Sequence, residues 1–283
     1  MSEHVINGDL DMLLGEAKYL PWSSSRVDTA CSCLYKFYKV YMEGYKEESS
    51  ALTLGSLTHE ILAKSIKDGS PSILKLQSWL HQSYELYRDK DTTGEIYSEV
   101  DRFLHYIMEF TIKWKNFLSQ ERISEDHVEE PYGLTQRCGT APYIPTEANS
   151  TYFRGIVDLW AYDPNKCILY IVDHKTNKSA LSKQRVKEHP QRNLYTMMLT
   201  SIFQIPWRKA VVGLNFIRKE KVVWNTIYPK EAEEFRDKYW NTLKYLEYKL
   251  WEAESDMVWP ATRSFKCNWC TFKSSCNSYL NKV

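Results

Sequence analysis

Apolar residues recur every three or four positions through residue 121 and then give way to alternation and short runs, which predicts helices followed by a sheet. Ser23, Ser24 and Ser25 supply N-cap candidates for a helix through about Met42, with Val27, Cys31, Leu34, Phe37, Tyr38 and Tyr41 as its apolar stripe. Further helices are expected over Thr53–Lys67, Ile73–Arg88 and Glu95–Glu121, the last with Phe103, Tyr106, Phe110, Trp114 and Phe117 facing a core. Asp126–Gln136 reads as a strand with Glu129 or Glu130 inside it, and Arg137–Ser150, with Gly139, Pro142, Pro145 and Asn149, as a loop. Tyr152–Tyr162 and Cys167–His174 are rich in β-branched and aromatic residues and flank Asp163-Pro164-Asn165-Lys166, so they predict a hairpin. After the polar stretch Ser179–His189, Pro190 suits the first turn of another helix. Ala210–Arg218 and Val222–Tyr228 form a second hairpin through Lys219-Glu220-Lys221, and a last helix spans about Lys230–Glu254. The expected fold class is α/β or α+β: a mixed sheet flanked by helices, with a helical N-terminal part and a cysteine-bearing tail over residues 255–283. Residues 1–22 read as an N-terminal extension and 23–283 as a single domain, helical over 70–125.

The hairpin brings chemistry together. Pairing about its turn places Asp158 opposite Asp173 or within about two residues of it, and Lys175, two residues on, projects on the same face as Asp173. Such a trio makes either a cross-strand surface salt bridge or a site where two carboxylates hold Mg²⁺ or Mn²⁺ and the lysine orients a water. His59 lies four residues after Gly55 on the same helix face, and is either an ordinary half-buried histidine or a ligand. Gly55 in a helix suggests close packing or close backbone approach. Gln191 and Tyr195 sit one helical turn apart beside Arg192.

Composition narrows the partners. The 283-residue chain carries a net charge of +1, so nucleic-acid binding must come from local patches. One such stretch holds Lys178, Lys183, Arg185, Lys187 and Arg192. Its aromatic content of 14% exceeds what a plain core needs, and exposed rings would suit base stacking. No signal peptide and no run of roughly 18 apolar residues is seen, so a soluble, cytoplasmic protein is expected.

The 7 cysteines argue against a disulfide framework, being odd in number. Cys267, Cys270 and Cys276 form C-x2-C-x5-C, one thiolate short of a closed tetrahedral set. Cys33 is the first candidate for the fourth and Cys31 the second, and either zinc or a [4Fe–4S] cluster suits four cysteines. A centre with ligands from both ends would staple the N-terminal helix to the tail.

In combination these motifs resemble the PD-(D/E)XK nuclease superfamily, closest to its RecB-like branch, which includes the nuclease domain of AddB and CRISPR-associated exonucleases with an iron–sulfur cluster. The resemblance runs from Ser25 to Cys276. It rests on Cys33, Phe37 and Tyr38 in SRVDTACSCLYKFY, Gly55 and His59 (G-x-x-x-H), Gly155 and Asp158 (G-x-V-D), Asp173, Lys175 and Thr176 (D-x-K-T), Gln191 and Tyr195 (Q-x-x-x-Y), and the terminal cysteines. Leu34 departs from the proline usual after the first cysteine, which keeps Cys31 in play.

The resemblance implies a restriction-endonuclease-like core and a Mg²⁺- or Mn²⁺-dependent DNA exonuclease acting on single strands or ends, in recombination, repair or viral DNA processing. Asp158, Asp173, His59 and the His174 carbonyl would hold the metal. Lys175 would position the water, Gln191 and Tyr195 would brace the site, and Cys33, Cys267, Cys270 and Cys276 would bind a [4Fe–4S] cluster, zinc being the lesser choice. No G-x-x-x-x-G-K-(S/T) loop accompanies it, so a stand-alone nuclease is expected. A subunit of a larger complex such as CRISPR spacer acquisition, a homo-oligomer, and a non-catalytic iron–sulfur DNA-binding scaffold are the other readings, in a prokaryotic or phage-infected cell.

Overall fold

The computed structural model describes residues 21–45, 49–134 and 153–280, without the side chains of residues 134 and 277–280. The extension expected over residues 1–22, apart from its last two, and the loop expected over Arg137–Ser150 with Cys138, lie outside the described residues.

In chain order the elements are α1 (Ser24–Ser32), α2 (Leu34–Phe37), a π-helical turn (Tyr38–Met42), α3 (Ser50–Asp68), α4 (Ile73–Tyr84), α5 (Ile96–Glu121), β1 (Asp126–Leu134), β2 (Phe153–Asp163), β3 (Ile168–Lys175), α6 (Lys183–Lys187), α7 (Pro190–Phe203), β4 (Lys209–Phe216), β5 (Lys221–Ile227), α8 (Pro229–Ser255) and α9 (Lys273–Leu280). They fall into two compact units: Met1–Glu47, Gly133–Gly155 and Glu234–Val283 form one, Glu48–Tyr132 and Ile156–Glu233 the other. The fold is the mixed, helix-flanked sheet that the hydrophobic pattern predicts.

The second unit carries most of the sheet, whose order is β1-β2-β3-β4-β5. β2 and β3 pair antiparallel as a hairpin, and Asp163 Oδ1 accepts from the Asn165 and Lys166 amides to close its turn. β3 and β4 are parallel, joined by a crossover that contains α6 and α7, and β4 returns antiparallel into β5. β3 is therefore central and reads ILYIV, an apolar run rather than an alternation, because both its faces are covered.

On one side Leu57, Ile61, Leu104 and Ile107 of α3 and α5 pack with Leu159 and Val172 of the hairpin. A smaller cluster joins Val186 of α6 to Leu214, Phe216 and Val223. Gly213 is forced by Trp224, since a Cβ there would sit 2.7 Å from its ring. Gly55 is not so constrained: its Cβ would meet Thr176 Oγ1 at an ordinary 3.6 Å, so the close approach expected there is absent.

In the first unit the expected single helix through Met42 is broken. Cys33 takes an extended conformation (φ −168°, ψ 112°) between α1 and α2. Trp22 is fully buried; its carbonyl accepts from the Arg154 amide at 2.8 Å, and its Nε1 donates to Glu247 Oε1 at 2.9 Å. The Tyr35 amide donates to the Pro260 carbonyl at 3.0 Å, and Tyr38 stacks on Trp259 at 4.6 Å. The N-terminal helices and the C-terminal tail thus share one packed unit.

Candidate metal centre

The ladder of the central hairpin ends at Leu159↔Val172, and Asp158 and Asp173 are the next residues on the two strands. Both are buried. Asp158 Oδ2 accepts from the His174 amide at 2.7 Å, which fixes its carboxylate against β3. His59, on α3, reaches the same place: its Nδ1 is 3.1 Å from Glu129 Oε1 and 3.7 Å from Asp158 Oδ2, and its Nε2 is 3.1 Å from the His174 carbonyl. Ligand atoms of His59, Glu129 and Asp158 all lie within 4.8 Å of one another.

Sequence reasoning left the choice between Glu129 and Glu130 open, and the backbone decides it. Glu129 has a left-handed φ of 54° inside β1, which breaks the alternation of the strand. A non-glycine residue in that region costs about 1–2 kcal/mol, and such strain gathers at functional sites. Glu130 is engaged elsewhere, with His127 Nδ1 at 3.1 Å and with the Tyr132 hydroxyl.

The electrostatics are those of an anion-rich pocket. Burial, then the Asp173 carboxylate, pushes Asp158 up to about 7. Burial alone would lower His59, but Glu129, Asp158 and Asp173 outweigh it and raise it to about 9. Both ring nitrogens face acceptors, the arrangement of an imidazolium. One imidazole, two carboxylates and a backbone carbonyl are a donor set that suits a hard divalent cation.

Lys175 completes the constellation. Its Nζ is 2.7 Å from Asp173 Oδ2 and donates to Gln191 Oε1 at 2.6 Å. Gln191 Nε2 in turn donates to the Tyr195 hydroxyl at 3.0 Å. Burial, then Asp173 and Asp158, holds the Tyr195 phenol well above its ordinary pKa, so it stays protonated. The His174 side chain is buried, its ring edge-on to that of His59. Burial, then His59 and Lys175, lowers its pKa, and its Nδ1 accepts from Asn215 Nδ2 at 3.0 Å.

A model of the PD-(D/E)XK nuclease superfamily matches residues 21–277, nearly the whole chain. The chain belongs to that superfamily. A search of curated proteins found no match to it. His59, Glu129, Asp158, Asp173, Lys175, Gln191 and Tyr195 all come together in one unit.

The basic stretch is divided. Lys178, Lys183, Arg185 and Lys187 are exposed. Arg192 is 2% exposed, and its guanidinium bonds Asn225 and forms an ion pair with Glu231. Its expected role as a phosphate contact is therefore corrected: it ties α7 to β5 and to the start of α8.

In the other unit Cys33, Cys267, Cys270 and Cys276 line one cavity of about 320 Å³. Cys31 is exposed, and it is not among the residues lining that cavity. Among the described residues no three of the sulfurs lie within 4.8 Å of one another, so they do not close into a mononuclear site, where tetrahedral Zn–S bonds would set sulfurs about 3.8 Å apart. Burial, then Cys33, Cys267 and Cys270, raises the Cys276 thiol. Among the described residues no helix is long and apolar enough to cross a membrane.

Proposed function

We propose that this protein is a divalent-metal-dependent deoxyribonuclease of exonuclease type, with His59, Glu129, Asp158 and Asp173 around the metal and Lys175 at the water. The observation that carries it is the convergence of three ligand side chains within 4.8 Å beside a lysine ion-paired at 2.7 Å to the second aspartate. A bound Mg²⁺ or Mn²⁺ would supply Lewis acidity and a polarised water.

The chain's own groups do the positioning. One Lys175 N–H donates to Gln191, and the ammonium is ion-paired with Asp173 without a hydrogen bond to Oδ2, which leaves donors for the water or the scissile phosphate. Asp158 is anchored by the His174 amide, and the same oxygen, Oδ2, faces His59 at 3.7 Å. Gln191 fixes the lysine and is itself fixed by Tyr195. Lys183, Arg185 and Lys187 on α6 offer exposed charge for strand phosphates.

The experiment is cleavage of end-labelled single- and double-stranded DNA with Mg²⁺, Mn²⁺ or EDTA, by the wild type beside Lys175→Met. Metal-dependent degradation that is lost in the variant supports the reading. Cleavage that persists in EDTA, or in Lys175→Met, sinks it.

The reading extends to a [4Fe–4S] cluster on Cys33, Cys267, Cys270 and Cys276, since four thiols line one cavity and a [4Fe–4S] cluster takes four cysteine ligands. The Ser264 amide already points at Cys267 Sγ, 3.3 Å away, a bond of the kind that tunes cluster sulfurs. Iron and acid-labile sulfide measured after anaerobic purification test it. Cys33→Ser is expected to lose both and Cys31→Ser neither; a preparation that holds only zinc overturns the cluster.

A further inference from the structure

A second cleft in the catalytic unit has no part in the metal centre. It measures about 310 Å³ and is lined by Glu99, Arg102 and Phe103 of α5 with Lys178, Arg218 and Lys219. Four cations face one carboxylate there, although the whole chain has a net charge of only +1. Arg218 is the fixed element. Its side chain is 15% exposed, and its Nη2 donates to Glu99 Oε2 at 2.6 Å. Its Nε is buried without an acceptor among the described residues. A guanidinium oriented by a carboxylate on one side presents the rest of its fork in a set direction.

The position of the cleft ties it to the chemistry. β3 and β4 run parallel, with Lys175 paired to Phe216 at their carboxyl ends. Lys178 comes three residues after Lys175, and Arg218 two after Phe216, so both leave the sheet at the edge that presents the catalytic lysine. Three residues of chain span at most about 10 Å. A strand whose scissile phosphate sits at Lys175 therefore has its neighbouring end within reach of this cleft.

We propose that the cleft binds the terminal phosphate monoester of the nucleic-acid strand, an assignment that rests on the nuclease reading above. An internal diester carries one negative charge, whereas a monoester carries about −1.5 to −2 with three acceptor oxygens. The local excess of three positive charges matches the monoester. Phe103 adds an apolar wall on which the terminal base can stack. Hydrolysis also supplies this ligand. Water oxygen bonds to phosphorus, the bond to one ester oxygen breaks, that oxygen takes a proton, and one fragment ends in a phosphate.

The test uses matched single-stranded oligonucleotides ending in 5′-phosphate, in 3′-phosphate, or in hydroxyl at both ends, with a circular strand as the control without ends. Affinity is read by fluorescence anisotropy in EDTA, and kcat/KM with Mn²⁺. Wild type is expected to prefer one phosphorylated end at least tenfold in both. The preference should collapse in Arg218→Gln and in Arg102→Gln, with a larger loss on the phosphorylated strand than on the hydroxyl-ended one; Arg102 lies at the surface, so its variant is expected to melt as wild type does. Equal handling of all linear ends overturns the proposal, as does a preference that survives both variants. An equal loss on hydroxyl-ended and phosphorylated strands assigns the cleft to internal diesters and overturns it too. Selective binding in EDTA without cleavage in any metal would instead defeat the nuclease reading and leave the pocket standing.

Discussion

Lys175 Nζ and Gln191 Oε1 are 2.6 Å apart, so a side chain from the crossover helix sets where the ammonium group of β3 points. Hydrogen bonds to charged groups contribute about 1.5–3 kcal/mol, or roughly 10- to 100-fold. Gln191→Ala is expected to lower kcat by about that factor with little change in KM and in the melting temperature. Lys175→Met should lose about a hundredfold or more, on the scale of removing a group that acts on developing charge. Single-turnover cleavage with a thermal melt on the same samples checks both.

Protons and metal compete for the same atoms. Asp158 is raised to about 7 and His59 to about 9, both above their unfolded values. A raised folded pKa gives stability that is full below the unfolded pKa and is lost as pH rises through the folded one. In EDTA these two groups should therefore lower the melting temperature as pH climbs from about 4 to 9. Mn²⁺ affinity should rise over pH 6 to 9, because both ligands must shed their protons. Calorimetric titration of Mn²⁺ at three pH values, with melts in EDTA, reads both trends; affinity that is flat or falls with pH contradicts the ligand set.

Asp158→Asn removes one of two crowded carboxylates while its amide oxygen can still accept from the His174 amide. The variant should be more stable than wild type in EDTA at pH 8, by about 1 kcal/mol, or a few degrees. It should also lose cleavage and the stabilisation by Mn²⁺. A melt with and without Mn²⁺ separates the two effects.

Neighbouring glutamates should behave oppositely. Glu129→Gln is expected to weaken Mn²⁺ binding at least tenfold, whereas Glu130→Gln, which touches only His127 and Tyr132 among the contacts described, should cleave as wild type does. Metal titration of both, beside a cleavage assay, checks the assignment.

Two kinds of arginine and lysine should separate as cleanly. Arg192→Ala breaks a buried pair whose partner, Glu231, is 32% exposed, so the loss should be about 2–3 kcal/mol, under the range for a fully buried pair. Lys183→Glu with Lys187→Glu should leave the melt unchanged, weaken DNA binding and flatten its salt dependence. Melts and binding at several salt concentrations distinguish them.

The order of elements, the central hairpin with its Asp163 turn, and the Asp158, Asp173 and Lys175 trio were legible in the linear chain, because strand period and turn chemistry act over a few residues. Cys33 lines the same cavity as the terminal cysteines, as the chain suggested, although the helix break that separates Cys33 from Cys31 was not legible. Three-dimensional packing alone decided the rest. Glu129 was chosen over Glu130 by a left-handed residue that overrides alternation. Arg192 was buried because the face a helix turns inward depends on what packs against it. The cationic cleft joins α5, the residues after β3 and the turn after β4, drawn from a stretch of more than a hundred positions, and no local pattern can announce such a meeting. Periodicity is a property of neighbours in sequence, and a binding site is a property of neighbours in space.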